Sequence, residues 1–298
     1  MRIFLTGGTG LIGRALCRAL QADGHSLTVL SRNPKSVHKI LGPDVLAISE
    51  LGEWWHNQQF DAVINLAGEP IVDRKWIERQ KRRIWESRVD LTKNLVQRIA
   101  NVEHKPSVLL SGSAVGYYGF RGEEVLNEDS GCGDDFGAKL CVAWERAAAE
   151  AEKYGVRVCL LRTGLVLSRE GGMLTYMLPS FRLGLGARLS SGRQWMSWVH
   201  IDDYVSMVQT LLVNSRARGA YNLVAPNPVV NAEFVATLGK VLRRPVVFAV
   251  PGWLLRMTMG ERACLLLEGQ RALPDKIEKL GYRFAYPYLD QALRRLLG

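Results

Sequence analysis

The first 165 residues alternate two textures. Short, nearly continuous apolar runs occur at residues 2–6 (RIFLT), 26–31 (SLTVLS), 45–48 (VLAI), 60–67 (FDAVINLA), 107–112 (SVLLSG) and 156–164 (VRVCLLRTG). Runs this short and this apolar suit strands buried on both faces, as parallel strands are. Between them lie stretches with apolar residues three or four apart. Residues 11–23 form one, closed by Gly24. Residues 76–100 form another, with Ile77, Ile84, Leu91 and Leu95 on one stripe, and residues 137–154 a third, rich in Ala and Glu. A period near 3.6 places each set on one helix face. Strands alternating with such helices predict a parallel sheet covered on both sides. The expected fold class is therefore α/β, a Rossmann-type doubly wound parallel sheet.

Beyond residue 165 the pattern changes. Gly and Pro become denser, in REGGML, LPSFRLGLGARLSSGRQW, APNPVV and RRPVVFAVPGW, while helical spacing persists near 202–215, 231–242 and 288–297. We expect a smaller mixed α/β C-terminal lobe over the carboxyl edge of the sheet. The domains then run 1–165, a nucleotide-binding Rossmann domain that the chain rejoins at about 198–225, and 166–298, mainly a substrate-binding lobe.

Composition narrows the class. The chain has 298 residues, 47% of them hydrophobic and 23% charged, enough apolar material for a sizeable core. Its net charge is +10, and the segment Asp73–Arg88 alone holds seven Lys or Arg against three acids. No helix-turn-helix, zinc-finger or aromatic ribonucleoprotein pattern accompanies that charge, so it reads as a solvated helix face rather than a nucleic-acid surface. The five cysteines, Cys17, Cys132, Cys141, Cys159 and Cys264, are odd in number and widely spaced. They form neither a disulfide framework nor a metal motif, which fits a reducing cytoplasm. The N-terminal MRIFLTGG goes straight into a strand and a glycine turn, unlike a signal peptide. No apolar run reaches the roughly 18–20 residues of a membrane span. The nearest, VVFAVPGWLLRMTM, is broken by Pro251 and Arg256.

The motif with the clearest chemistry is FLTGGTGLIGRAL, which sets Thr6, Gly7, Gly10, Leu11, Ile12 and Gly13 between a strand and a helix. The first glycine makes the tight turn, the second admits a pyrophosphate to the backbone, and the third lets helix and strand pack closely. The helix N-terminus adds free N–H groups and partial positive charge. The next strand ends in Ser31 and Arg32, with Lys35 nearby, where an NAD site usually carries an acid. A guanidinium fork and a hydroxyl suit a ribose 2′-phosphate, so the expected cofactor is NADP(H).

TGGTGLIG with VINLAG, SGSAVGYYG and WVHIDDY resembles the extended short-chain dehydrogenase/reductase superfamily of NAD(P)-dependent epimerases, dehydratases and reductases. NLAGEPI, FRLGLGARLSSGRQWMSWVHIDD, NAEFVATLGKVLRRP and GERACLLLEGQRALPDKIEKLGYRF are similar to its atypical SDR39U1 subfamily of epimerase family proteins, over essentially the whole chain. The resemblance implies the Rossmann fold, an NADP cofactor and a cytoplasmic setting. It adds Leu66, Ala67 and Arg162 to the cofactor residues. In many relatives the helix matching 76–100 pairs two subunits, which implies a homodimer; its charge density here counts against one.

In typical members a Tyr exchanges the substrate proton, a Lys four residues on lowers the Tyr pKa, a Ser holds the substrate oxygen, and an Asn supports the Lys. Carried over position by position, the Ser becomes Ser113, the Asn place falls on Arg88, the Lys place on Cys141 and the Tyr place on Gly137. Shifted by one, the last two places fall on Leu140 and Phe136, and Lys139 is rotated about 100° away. The usual pair is absent in both frames. Ser113, Cys141 and Arg88 are the candidate catalytic residues: Arg88 as a fixed cation, and Cys141 as a thiol whose pKa that cation would lower. Tyr117 and Tyr118 are alternative acids. Glu128, Asp129, Asp134 and Asp135 read as loop formers and caps.

In nucleotide-sugar enzymes the segment matching SGRQWMSWVHIDDY carries an Arg for the substrate diphosphate. Here Met196 stands there, so the expected substrate is a small molecule other than a nucleotide sugar, in a pocket near Met173, Tyr176, Met177 and Trp195. His200 reads as structural, and Asp202 or Asp203 as the cap of the next helix. Two functions follow: an NADP-dependent oxidoreductase or epimerase-like enzyme, or a non-catalytic NADP(H)-binding sensor or regulator.

Overall fold

The computed structural model describes residues 1–298. Its first half is built from β1 (Arg2–Thr6), α1 (Leu11–Ala22), β2 (Ser26–Leu30), α2 (Pro34–Leu41), β3 (Leu46–Ile48), β4 (Ala62–Asn65), α3 (Glu78–Trp85), α4 (Leu91–Asn101) and β5 (Val108–Ala114). A short β6 (Val125–Leu126), α5 (Phe136–Ala149) and β7 (Arg157–Thr163) follow. The strands are apolar on both faces because both faces are covered. Ile3, Leu5, Val29 and Ile64 meet α1 through Leu16, Cys17 and Leu20. Phe4, Val63 and Leu109 meet α4 through Leu95, Val96 and Ile99 on the other side.

The rest of the chain contributes β8 (Leu165–Leu167), α6 (Met173–Arg182), β9 (Ala187–Leu189), β10 (Trp195–Met196), β11 (Trp198–His200), α7 (Ile201–Val213) and β12 (Gly219–Leu223). It ends with β13 (Val229–Val230), α8 (Asn231–Leu242), β14 (Phe248–Val250), α9 (Gly252–Met259), α10 (Cys264–Leu267), β15 (Arg271–Ala272), α11 (Asp275–Lys279) and α12 (Leu289–Leu297). Seven strands form one parallel sheet in the order β12-β7-β5-β4-β1-β2-β3. The order reverses between β1 and β4, so the chain leaves these neighbours toward opposite sides and opens a crevice at their carboxyl ends. β12 rejoins the sheet from beyond residue 165, in register with β7 from Gly219 opposite Cys159 to Leu223 opposite Thr163. Two-stranded pairs β8–β11, β9–β14, β10–β13 and β6–β15 frame the smaller lobe. Its core joins α6, α8 and α12 through Leu174, Leu178, Phe181, Phe234, Leu238 and Leu293. No helix is long and apolar enough to cross a membrane.

Two local features depart from the sequence reading. The helix expected at 76–100 is two α-helices joined by a π-helical turn over Glu86–Asp90, the turn that carries Arg88. The cap of α7 is neither Asp202 nor Asp203: His200 itself accepts the Asp202 backbone N–H on Nδ1, at 3.1 Å. Asp203 is buried and turned the other way. It accepts the Tyr282 hydroxyl at 2.9 Å and the backbone N–H groups of Ala285 and Tyr286 at 2.8 and 2.9 Å.

Candidate functional site

The glycine loop is shaped by close contact. Gly7 has φ +72°, and a Cβ there would lie 2.5 Å from the Leu66 carbonyl oxygen. A Cβ on Gly13 would lie 2.2 Å from the Gly7 carbonyl oxygen, so α1 can sit this close to the loop only without one. Thr6 fixes the facing strand end: its hydroxyl donates to Asn65 Oδ1 at 2.7 Å and accepts the Ala67 N–H at 3.2 Å. Asn65, which sequence reasoning missed, is 1% exposed and donates onward to Thr92 and Ser111. Its signal was a polar residue ending an apolar strand.

These elements line a cleft of about 1470 Å³ at the carboxyl edge of the sheet. Thr6, Gly7, Gly10, Leu66, Ala67 and Gly68 form its floor, and Ser31 and Arg32 one wall. Arg74, Arg83 and Arg98 add positive charge along it. The Arg32 side chain is 94% exposed, with only Glu69 near it at 3.9 Å. Leu11 and Ile12 do not line the cleft. Leu11 is covered by Gly171 and Gly172, and Ile12 packs on the core beneath the sheet.

Ser113, Cys141 and Arg88 do come together. Arg88 reaches from the π-helical turn, donates to the Glu69 carbonyl at 3.0 Å, and lies so close to Gly68 that a Cβ there would be 2.7 Å from its guanidinium carbon. It reaches the cleft wall from behind. Cys141 faces Ser113 from α5. Burial pushes its thiol up to about 12; Glu145 adds to the rise, and the Ala114 N–H, Arg88 and Ser113 offset only part of it. The expected lowering by Arg88 is thus overridden: desolvation disfavours a thiolate more than the cation favours it. Lys139 is exposed, and Phe136 packs edge-on against Trp76 at 5.2 Å.

Arg162 lies in a buried network rather than along the cleft. Its Nε and Nη2 donate to the Glu145 carboxylate at 2.8 and 3.0 Å, and Nη1 to the Tyr118 hydroxyl at 3.0 Å. The Tyr117 ring lies 3.5 Å from its guanidinium carbon. Tyr118 is pushed up to about 12 by burial, against Arg162, and donates to Asn222 at 2.7 Å. That hydroxyl is committed inside the protein. Ser113 donates to Glu145 Oε1 at 2.6 Å, a partner the sequence did not mark.

Asp135 caps α5 by accepting the Ala138 N–H at 2.9 Å. Glu128, read as a loop former, is instead buried; it accepts the N–H groups of Asn222 and Lys276, and desolvation raises its pKa. On the substrate side, Met173, Met177 and Met196 pack against the core of the smaller lobe. Tyr176 is 71% exposed and donates to Asp73 at 3.3 Å. Trp195 stacks on Arg271 at 4.3 Å and donates to Glu123 at 2.9 Å.

Residues 3–224, which hold the glycine loop, the cleft and the Ser113 cluster, match the family model of the NAD dependent epimerase/dehydratase family. The chain belongs to that family. Residues 250–296 match DUF1731, a domain of unknown function, so this family member carries that segment after its Rossmann part. The chain is 41% identical to the chloroplastic SDR39U1-homologue epimerase family protein of Arabidopsis thaliana, over 100% of its own length and 87% of the relative's. It is 38% identical to the epimerase family protein SDR39U1 of Mus musculus, over 100% of both chains. Among solved structures, human SDR39U1 (isoform 2), crystallised with NADPH, superposes with a TM-score of 0.90 at 35% identity, over 99% of each chain.

Proposed function

We propose that this family member is an NADP(H)-dependent oxidoreductase or epimerase-like enzyme, acting on a small molecule other than a nucleotide sugar and without the usual Tyr–Lys pair. The observation that carries the cofactor is the wall made by Ser31 and the exposed Arg32, which ends β2 on a hydroxyl and a guanidinium where an NAD site carries an acid, with Glu69 3.9 Å from the guanidinium. The glycine turn fits as well: it packs against Leu66 and against α1 as tightly as it does only without a Cβ at Gly7 or Gly13. Human SDR39U1 with NADPH bound supports the same cofactor. When bound, NADP(H) supplies the hydride chemistry. The chain supplies the Gly7–Gly13 cradle, the charge at Arg32 and a hydroxyl at Ser113. Met196, turned into the core of the smaller lobe, supports a substrate without a diphosphate. A cytoplasmic setting and a homodimer belong to the same proposal.

Fluorescence titration with NADPH and NADH tests the cofactor. Wild type should bind NADPH about tenfold or more tightly than NADH, and Arg32→Ala should lose about tenfold for NADPH alone, the loss of one charge-assisted contact. Equal binding of the two cofactors by wild type would reject the assignment. Turnover of a carbonyl and alcohol panel tests the enzymatic part. A second reading, a non-catalytic NADP(H) sensor, draws support from the inert Cys141 thiol and the committed Tyr118 hydroxyl. It predicts tight cofactor binding with no turnover of any panel member.

A further inference from the structure

Residues 180–193 and 243–259 belong to the smaller lobe and share no residue with the cofactor cleft. They meet in the β9–β14 pair, which runs parallel from Ala187 opposite Phe248 to Leu189 opposite Val250. Parallel pairing sets the two incoming chains side by side, one carrying Leu183 and Leu185 and the other Val247. α9 follows directly after β14. These apolar groups are bare: Leu183 is 76% exposed, Val247 75%, Trp253 65% and Met257 68%, and α9 has no buried residue. Trp253 and Met257 lie four apart and so share one face of that helix. Apolar groups gathered in this way mark a surface on which something docks.

Charge decides what docks there. The two segments hold six arginines and no Asp or Glu. Arg256 shares a cavity of about 320 Å³ with Glu261 and Glu268. The other five, Arg182, Arg188, Arg193, Arg243 and Arg244, are exposed and make no ion pair. A second copy seated on the same face would set these cations against themselves. A peptide adding a strand to β14 would meet Pro245 and Pro251, which bracket it; proline at such places blunts an edge against strand addition. An anionic bilayer satisfies both halves of the face. Its phosphates take the guanidiniums, whose stems lie along the apolar boundary, while the indole and aliphatic tips enter the headgroup layer. We propose that the β9–β14–α9 face is a peripheral docking surface for an anionic lipid bilayer, on which the chain lies without spanning it.

The test is flotation of the full-length protein with vesicles of phosphatidylcholine alone and of an equimolar mix with phosphatidylglycerol. Wild type should bind the mixed vesicles about tenfold or more tightly than the neutral ones, and lose most of that binding at about 0.5 M salt. Arg243→Glu with Arg244→Glu should weaken it about tenfold or more, and so should Trp253→Ser with Met257→Ser. All four side chains are exposed, so unchanged NADPH binding verifies that each variant is folded. Arg79→Glu with Arg82→Glu makes the same change in net charge on the exposed side of α3 and should shift binding by less than about twofold. Absent or salt-insensitive binding, an equal loss in the α3 variant, or a silent Trp253–Met257 variant overturns the inference. So does a soluble acidic probe, poly-glutamate, that binds as tightly as the vesicles and depends on the same residues, since the occupant would then be an acidic protein. A dimer in sedimentation that the Trp253–Met257 variant breaks would assign the face to a second copy and overturn it as well.

Discussion

Cys141 has Arg88 and the Ser113 hydroxyl beside it and still remains a thiol, because desolvation outweighs both. Its folded pKa, about 12, lies above its unfolded value. The stability tied to it is therefore complete below the unfolded thiol's titration and is lost as pH rises through the folded value. At pH 8 an alkylating reagent should label the exposed Cys132 and leave Cys141 untouched, as peptide mass spectrometry would show. Native labelling of Cys141 at the Cys132 rate would refute the burial argument. The ion pair beside it has the opposite character. Glu145→Ala and Arg162→Ala each leave an uncompensated buried charge, expected to cost about 3–5 kcal/mol in urea unfolding. The double variant should cost less than the sum, because the two side chains share one interaction. Ser113, Cys141 and Arg88 were legible as neighbours because each occupies a place in a known pattern. Glu145 was not, since it lies two helical turns beyond the expected Tyr place, where the pattern asks for nothing.

Among the elements, the β1–α1 turn is the one whose chemistry is most local. Glycine spacing, the preceding apolar strand and the following helix all lie within twenty residues, so the sequence displays it whole. Gly13→Ala would drive a methyl to 2.2 Å from a backbone carbonyl, with no flexible side chain to yield. We expect a loss of about 1–3 kcal/mol and at least tenfold weaker NADPH binding. Gly116→Ala, which meets nothing within 4 Å, should change melting little by comparison. The π-helical turn at Glu86–Asp90 illustrates the converse. Its helical periodicity on either side is ordinary, and the extra residue is accommodated by contacts from distant chain. The Ser87 hydroxyl accepts the Glu69 N–H at 2.9 Å and donates to Ile84 at 3.0 Å, while Arg88 ties to the Glu69 carbonyl. Periodicity reports one helix's own face and is silent about a loop folding onto it.

At the scale of the molecule, the C-terminal segment is fastened to the Rossmann part by a few buried polar groups. Asp203, at the start of α7, gathers Tyr282, Ala285 and Tyr286, and Glu128 gathers Asn222 and Lys276. Asp203→Ala would leave these buried donors unpaired, at about 1–3 kcal/mol each before relaxation. The expected outcome is faster limited proteolysis within residues 282–298; an unchanged cleavage rate would mean that the apolar contacts of α12 alone hold the segment. The sequence by itself determined the parallel sheet, the glycine loop and the type of cofactor wall, because period, turn chemistry and charge act over a few neighbouring residues. Only the tertiary structure decided which polar groups are spent on one another. Arg162 went to Glu145, Asp203 to the C-terminal loop and Tyr118 to Asn222, pairings set by which strands and helices meet. Burial then fixed the protonation of Cys141, because desolvation depends on everything packed around a group and on nothing adjacent to it in the chain.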